Sequence, residues 1–321
     1  MFAELLTADR SGPMKEILDA YQFKPYGWAL NANPVGGVME YLRNQIAQSI
    51  DSGGIVKTYL LGGKVVGMCA ATPDDWASRE LGRRTYRLSH LMALGRPDAQ
   101  VLIKTMVLQE TLRAIPDRHV LVADMPYTDL TSINALERVG FTATQTSLRL
   151  ARDLAGADCT ATGNCNYEVE SVEPDDVDLA LSSVPVEIPD GFLGWDSHLP
   201  HWSATRVHNN WLKTYAHTRS LLLARDHGRP VGMLAEHVLT DTTPYLGFSV
   251  GSIDLVVTTP EYRNNGVAGR LVASSLERFK SQGARLAELT IHSADTPVAR
   301  NYQAQGFVTV GGSLTLASWR H

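Results

Sequence analysis

The 321-residue sequence contains no uninterrupted apolar run of about 18 residues, the length a bilayer-spanning helix needs. Its first residues, MFAELLTADRSGPMKE, put Glu4 in the opening turn and lack the basic segment and apolar core of a secretory leader. These absences predict a cytoplasmic protein with no membrane partner. Cysteine is scarce: Cys69, Cys159 and Cys165 are an odd set, and the five residues between the last two fit neither a zinc-ligand spacing nor a redox C-x-x-C. They read as buried or linker thiols in a reducing compartment, and no metal is expected. Positive charge is also short. Lys and Arg number 29 against 34 Asp and Glu, a net charge of −5, which argues against a nucleic-acid partner held by bulk electrostatics. Two phosphate-binding signatures are missing, the Gly-Lys-Ser/Thr of P-loops and the G-x-G-x-x-G of dinucleotide-binding folds.

What is present is a globular balance, 44% apolar and 20% charged, in a chain long enough for two ordinary domains. Its most informative stretch is Ile253 to Leu271, IDLVVTTPEYRNNGVAGRL. Residues Ile253 to Thr258 are β-branched or aliphatic except for Asp254, which predicts a largely buried strand, and Pro260 ends it by removing a ladder donor. Arg263-Asn264-Asn265-Gly266-Val267-Ala268-Gly269 then opens a helix with small residues. Such a start leaves backbone N–H groups unpaired and open to close approach, a setting that suits a pyrophosphate. A plain helix cap is the alternative.

The chain repeats a plan of helices, a hairpin, a strand, a long helix, a strand, a short helix and a closing strand. Lys64-Val65-Val66-Gly67-Met68 stands opposite Arg229-Pro230-Val231-Gly232-Met233, and Asp129 through Gly140-Phe141 opposite Asp295 through Gly306-Phe307. A match at a fixed offset implies duplicated units. The expected organisation is a first domain over 1–151, a linker over 152–167 (RDLAGADCTATGNCNY, without apolar periodicity) and a second domain over 168–321. The repeat is unequal where a phosphate nest would sit. The first half offers Ala93-Leu94-Gly95-Arg96-Pro97-Asp98, whose proline removes a needed donor, and Leu136 takes the place of Tyr302. The first domain is therefore expected to keep the fold without a cofactor site.

The run Arg263-x-x-Gly266-x-Ala268, preceded by a strand and by Pro260-Glu261-Tyr262, resembles the acetyl-CoA signature of the GNAT N-acetyltransferase superfamily. The resemblance implies an α/β (α+β) fold of two GNAT-like domains, each a mostly antiparallel twisted sheet flanked by helices. It implies acetyl-CoA as acyl donor, held by Arg263 and by the backbone N–H groups of Asn265, Gly266, Val267, Ala268 and Gly269. By the same resemblance the strand splays from its neighbour, and the backbone of Val256, Val257 and Thr258 pairs with the pantetheine arm. Tyr302, within Asp295 to Phe307, takes the place of the tyrosine set near the CoA sulfur, and a phenol near pKa 10 is protonated at neutral pH. A core aromatic is the other reading of Tyr302. Asp295 stands where the family most often has Asn.

Acyl transfer to an amine also needs a proton acceptor. Period-two alternation puts Ser252, Asp254 and Val256 on one strand face, and an Asp in an otherwise apolar strand is costly unless hydrogen-bonded, so Asp254 is either a functional group or a satisfied structural one. Glu236, His237 and His292 are further candidates. The stretch Glu187 to Trp211, EIPDGFLGWDSHLPHWSATRVHNNW, mixes Trp and His with acids, a surface suited to stacking on sugars or bases; Trp195, His198, His201 and Trp202 are its candidate substrate contacts.

The whole-chain pattern, including Asp75-Trp76-Ala77-Ser78-Arg79-Glu80-Leu81-Gly82 and Arg206 to Trp211, looks like the dTDP-fucosamine acetyltransferases. That resemblance implies attack by a small amino-sugar amine in a ternary complex, in a monomer or homodimer. An antibiotic, thiol-precursor or peptide amine, or a non-catalytic acyl-CoA sensor, are the competing readings.

Overall fold

The structure is a computed structural model that describes residues 2–4, 11–29, 35–116, 118–156, 167–184, 193, 196 and 199–320, with the backbone alone at 2–4, 11–13, 35–36 and 201–202. The first half of the chain contains β1 (Phe2–Glu4), α1 (Ser11–Ala20), α2 (Val35–Asp51), β2 (Ile55–Leu61), β3 (Lys64–Pro73), α3 (Asp75–Leu81), β4 (Arg84–Ala93), α4 (Pro97–Ala114), β5 (His119–Pro126), α5 (Leu130–Arg138) and β6 (Thr142–Asp153). The second contains β7 (Glu168–Val172), α6 (Val177–Ser183), α7 (His201–Ala216), β8 (Ser220–Asp226), β9 (Arg229–Leu239), α8 (Thr243–Leu246), β10 (Ser249–Thr258), α9 (Val267–Ser281), β11 (Ala284–His292), α10 (Thr296–Ala304) and β12 (Val308–Trp319). No described helix is long and apolar enough to cross a membrane.

Two hairpins form where the sequence places them, β2–β3 over Gly62-Gly63 and β8–β9 over His227-Gly228, each turn with two positive φ angles. Asp75-Trp76 opens α3, a helix too short for the sequence to show a period. Asp74 caps this helix by accepting from the Ala77 amide at 2.9 Å, and Gly82 ends it at φ +62°. The long helix α4 begins at Pro97, because proline suits a first helical position.

The chain divides into two compact units, and their limits differ from the contiguous halves 1–151 and 168–321. Unit 1 takes residues up to Thr146, then Leu193, Asp196 and the chain from Ser313. Unit 2 takes Ser147 onward up to Gly312 apart from those two residues. The reason lies in two long strands. In unit 1 the strand order is β1-β2-β3-β4-β5-β12, with Ser313–Trp319 of β12 antiparallel to β5. In unit 2 it is β6-β11-β10-β9-β8-β7, with Ser147–Asp153 of β6 antiparallel to β11. Each half of the sequence thus lends the end of its last strand to the other unit. The linker expected over 152–167 accordingly starts later, since Arg152 and Asp153 still belong to β6. Cys159 and Cys165 lie outside the described residues, and Cys69 is a buried free thiol on β3.

Both units pack a helix on their sheet by the same device. Gly67 on β3 faces Ile103 and Val107 of α4, and Gly232 on β9 faces Val267 and Leu271 of α9; a Cβ added at these glycines would come within 2.3 and 2.6 Å of Ile103 and Val267. The matched contacts align α4 with α9, so that Lys104 answers to Ala268. The parallel strand pairs also match. β4 pairs in parallel with β5 only over Arg84–Leu88, and its register against β3 shifts at Ser89.

The next residue, His90, is buried, and burial holds its imidazole down at about 4. A histidine depressed from 6.5 contributes stability above the unfolded pKa, and the contribution is lost as pH falls from about 6.5 towards about 4. Urea denaturation of unit 1 is expected to show about 2 kcal/mol less stability at pH 4.5 than at pH 7 from this group. His90→Gln should flatten that dependence; an unchanged slope would show that His90 is not its source.

Candidate active site

The site is built on the end of β10. Its parallel pairing with β11 runs only from Ser249 to Ile253, whereas its antiparallel pairing with β9 continues to Thr258. Beyond Ile253, β11 keeps β6 as its partner through His292. The two parallel strands therefore part, and Asp254 to Thr258 line one side of the gap with backbone groups that have no strand partner among the described residues on that edge. Val256, Val257 and Thr258 all lie on this parted segment.

A bulge sits at the parting point. Ile253 pairs with Glu236 and Leu255 with Ala235, leaving Asp254 as the extra residue. The bulge resets the alternation of β10. Ile253 and Val256 face the core against α9, while Leu255 and Val257 pack with Val177, Ala216, Leu221 and Met233 on the opposite face. This corrects the expectation that Ser252, Asp254 and Val256 share one face; period two holds only where no residue is inserted.

After β10 the chain makes the turn that the sequence predicts. Asn264 and Gly266 take φ +64° and +85°, and the first backbone bond of α9 runs from the Arg270 amide to the Gly266 carbonyl at 3.0 Å. The amides of Gly266, Val267, Ala268 and Gly269 have no acceptor among the described residues and stand at the positive end of a 15-residue helix. The Asn265 amide, placed by the sequence in the same set, donates to the Tyr262 carbonyl at 3.4 Å. Arg263 is exposed beside this start. These groups fit an anionic diphosphate: donors without partners, small residues at 268 and 269, and a guanidinium.

Asp254 is the centre of a polar cluster on the α7 side of the sheet. Its Oδ2 accepts from Arg219 Nε at 3.1 Å and lies 2.6 Å from His237 Nδ1, and its Oδ1 accepts from the Ser252 hydroxyl at 2.8 Å. Burial alone would raise this carboxyl, but His237, Ser252 and Arg219 outweigh it and hold it below the usual carboxylate range. The Arg219 guanidinium lies 4.1 Å from the centre of the Tyr215 ring, which stacks on Trp211 at 4.4 Å. Burial and the nearby Asp254 charge push the Tyr215 phenol up to about 12. Trp211 closes the stretch that the sequence offers for acceptor contact, whereas Tyr215 near the end of α7 and Arg219 just beyond it are not marked there; the cue for Tyr215 was the aromatic pair at i, i+4.

The other expected site residues are dispersed. Tyr302 is buried on α10 among Ile253, Val267, Leu289 and Ile291, edge-on to Phe307, and its hydroxyl has no partner among the described residues. Burial raises its pKa well above the ordinary phenol value. Asp295 is exposed at the start of the same helix and makes no side-chain cap. Glu236 points to the opposite face of β9 from His237, where Arg278 Nε donates to it at 2.8 Å, and burial raises its carboxyl against that cation. His292 Nδ1 accepts from the Ala294 amide at 3.1 Å in the turn before α10. Trp195 and His198 lie outside the described residues, and His201 and Trp202 open α7 with only their backbone described. Among the described residues no three His, Cys, Asp or Glu side chains gather to hold a metal ion.

Unit 1 has the same parted strands but fills the gap with its own side chains. Lys104, on α4 at the place of Ala268, is buried and donates to Asp129, Thr131 and Ser132 at 3.1, 2.7 and 2.7 Å. The Ser132 hydroxyl lies 3.4 Å from the Leu91 carbonyl, beyond the last β4–β5 pair. In unit 2 the places of Thr131 and Ser132 hold Pro297 and Val298, both exposed.

Residues 190–307, which carry the parted strand, the helix start and Tyr302, match the Acetyltransferase (GNAT) family. Unit 2 carries a GNAT acetyltransferase domain. The matched region is an acyltransferase domain of the GNAT type, a family that generally uses acetyl-CoA. No curated protein matches the chain in sequence. Among solved structures, a GCN5-related N-acetyltransferase from Sphaerobacter thermophilus is similar at a TM-score of 0.60 and 13% identity, covering 100% of this chain and 96% of its own. A tandem GNAT protein from the clavulanic acid biosynthesis pathway gives 0.57 and 14%, covering 99% and 98%. A glucosamine N-acetyltransferase region of a fungal multi-domain β-N-acetylglucosaminidase gives 0.55 and 16%, covering 98% of this chain and 38% of that one. At these identities the likeness concerns the fold, two GNAT-like units in one chain.

Proposed function

We propose that unit 2 moves an acetyl group from acetyl-CoA to the primary amine of a small polar acceptor, an amino sugar or a nucleotide-linked amino sugar of the dTDP-fucosamine kind. The observation that carries the donor half is the parting of β10 from β11 next to a helix start with four amides that have no acceptor among the described residues. Arg263 and the amides of Gly266, Val267, Ala268 and Gly269 hold the diphosphate, and the edge of Val256, Val257 and Thr258 offers backbone groups to the amide-bearing arm. When bound, acetyl-CoA supplies the thioester to be cleaved. A backbone amide on that same edge donates to the carbonyl oxygen as negative charge gathers there. Tyr302, held protonated by burial, donates a hydrogen bond to the departing sulfur. The Asp254 cluster receives the amine proton. No cysteine occurs between Ser249 and Ala304, which favours direct transfer in a ternary complex over a thioester on the protein.

The acceptor class is supported by the stacked aromatic pair of α7 and by the glucosamine acceptor of a structurally similar region. For unit 1 we propose a scaffold without cofactor, since Pro97 occupies its helix start and the Lys104 cluster its gap.

Calorimetry with acetyl-CoA is expected to give one site per chain. Thiol release is then measured over an amine panel containing glucosamine, a dTDP-linked 4-amino sugar, an aminoglycoside and a peptide N-terminus. Release with the sugar amines supports the acceptor class. Release with the peptide alone refutes it, binding without any release points to a sensor, and two sites per chain would refute the scaffold role of unit 1.

A further inference from the structure

The group that takes the proton from the acceptor amine can be narrowed further, on the reading that unit 2 acetylates amines. We propose that His237 is the general base and that Asp254 is its positioning residue, the carboxylate holding the imidazole with its proton on Nδ1 and Nε2 free to accept.

Asp254 itself is poorly suited to the task. Both its oxygens are engaged, Oδ2 by Arg219 and His237 and Oδ1 by Ser252, and these contacts stabilise the ionised form. An ionised carboxylate only accepts hydrogen bonds, so the 2.6 Å contact requires the proton to be on His237 Nδ1. In the neutral ring the second nitrogen then carries the lone pair. The bulge makes the contact: as the extra residue of β10, Asp254 is turned toward His237, which pairs across the strands with Ser252 two residues earlier. His237 keeps 23% of its side-chain surface exposed and Asp254 13%, so the imidazole is the more accessible member of the pair. The charged and titratable groups around it are Asp254 on β10, Arg219 before β8 and Tyr215 on α7. Glu236, next in sequence, faces α9 and Arg278. Unit 1 has Ser89 at the place of Asp254 and Thr72 at the place of His237, so the pair exists only in the unit with the open helix start.

The proton count closes. The acceptor ammonium gives one proton to Nε2, and its nitrogen bonds to the thioester carbonyl carbon. The C–S bond breaks with its electron pair on sulfur, a second proton from the nitrogen ends on that sulfur, and His237 returns the first to solvent. The products are an amide, a free thiol and one proton.

Two independent measurements test this. In 15N-histidine-labelled full-length protein, NMR at neutral pH is expected to show His237 protonated on Nδ1, with Asp254→Asn abolishing that preference; a proton on Nε2 in the wild type would overturn the proposal. In turnover with the best amine of the panel, glucosamine first, His237→Ala should lower kcat about 100-fold or more, with acetyl-CoA affinity within about two-fold of wild type. The ascending limb of the pH profile should vanish and return with added imidazole. Asp254→Asn should give a smaller loss that imidazole does not rescue. Retention of most of the kcat and of the wild-type pH profile in His237→Ala would also overturn it. Absence of turnover with every amine would sink the acetylation reading, and the NMR result would still decide the pairing.

Discussion

Asp129→Ala is expected to lower the stability of unit 1 by about 3–5 kcal/mol, because it strands a buried cation. Lys104 and Asp129 expose only 3% and 1% of their side chains. Burial pulls the Lys104 ammonium pKa down, and the Asp129 charge and hydrogen bond are what oppose it. Asp129 also caps α5 by accepting from the Ser132 amide at 3.0 Å, and takes the Ser132 and Thr131 hydroxyls at 2.6 and 2.9 Å. Its removal therefore leaves several donors unmatched at once. Urea denaturation followed by hydrogen exchange on β5 reads the effect in unit 1. The control is Asp295→Ala, at the matching place in unit 2, where the side chain is exposed and caps nothing; its effect should stay within about 0.5 kcal/mol. The double change Lys104→Met with Asp129→Leu should recover much of the loss, since an apolar pair of similar size needs no charge partner. A loss below about 1 kcal/mol in Asp129→Ala would show that the ion pair does not hold unit 1 together.

Tyr302→Phe is expected to lower kcat by about 100-fold while leaving acetyl-CoA affinity within about two-fold. The ring contributes to the core with Phe307, and phenylalanine keeps that contact. What is lost is one hydroxyl that has no partner among the described residues and stays protonated across the working range. A phenol held so high donates a hydrogen bond to a forming thiolate more readily than it yields its proton outright, so the effect belongs in turnover and not in binding. Thiol release under saturating acetyl-CoA measures it. Unchanged turnover would assign Tyr302 to the core alone.

Local features of the fold were legible in the sequence because they rest on short-range chemistry. The glycine-bearing turns fixed both hairpins, and Pro260 and the small residues after Arg263 marked the end of β10 and the start of α9. The offset repeat paired Gly67 with Gly232 before their equivalent helix contacts were visible. The missed helix α3 had its signals in plain view, Asp74 at one end and Gly82 at the other, but seven residues are too few for a period to show. The bulge at Asp254 had no such mark. Inserting one residue in a strand leaves composition unchanged and flips every side chain after it, so Val256 was assigned to the wrong face. The pairing of Asp254 with His237, and the Lys104 cluster in unit 1, join residues 17 and 25 positions apart; strand register brings the first together and the packing of α4 against α5 the second.

The traded strand ends bear on how this molecule can be taken apart. A fragment ending at residue 151 would lack the Ser313–Trp319 segment that borders β5, and a fragment beginning at 168 would lack the Ser147–Asp153 segment that borders β11. Each would carry a bare sheet edge and a tail with nothing to zip onto, an invitation to dimerise or aggregate. A single backbone cut inside 157–166, by contrast, leaves both borrowed segments in place. The protein is two folding units by geometry and one by inheritance of strands, so a split at 151 or 168 strips an edge segment from each sheet.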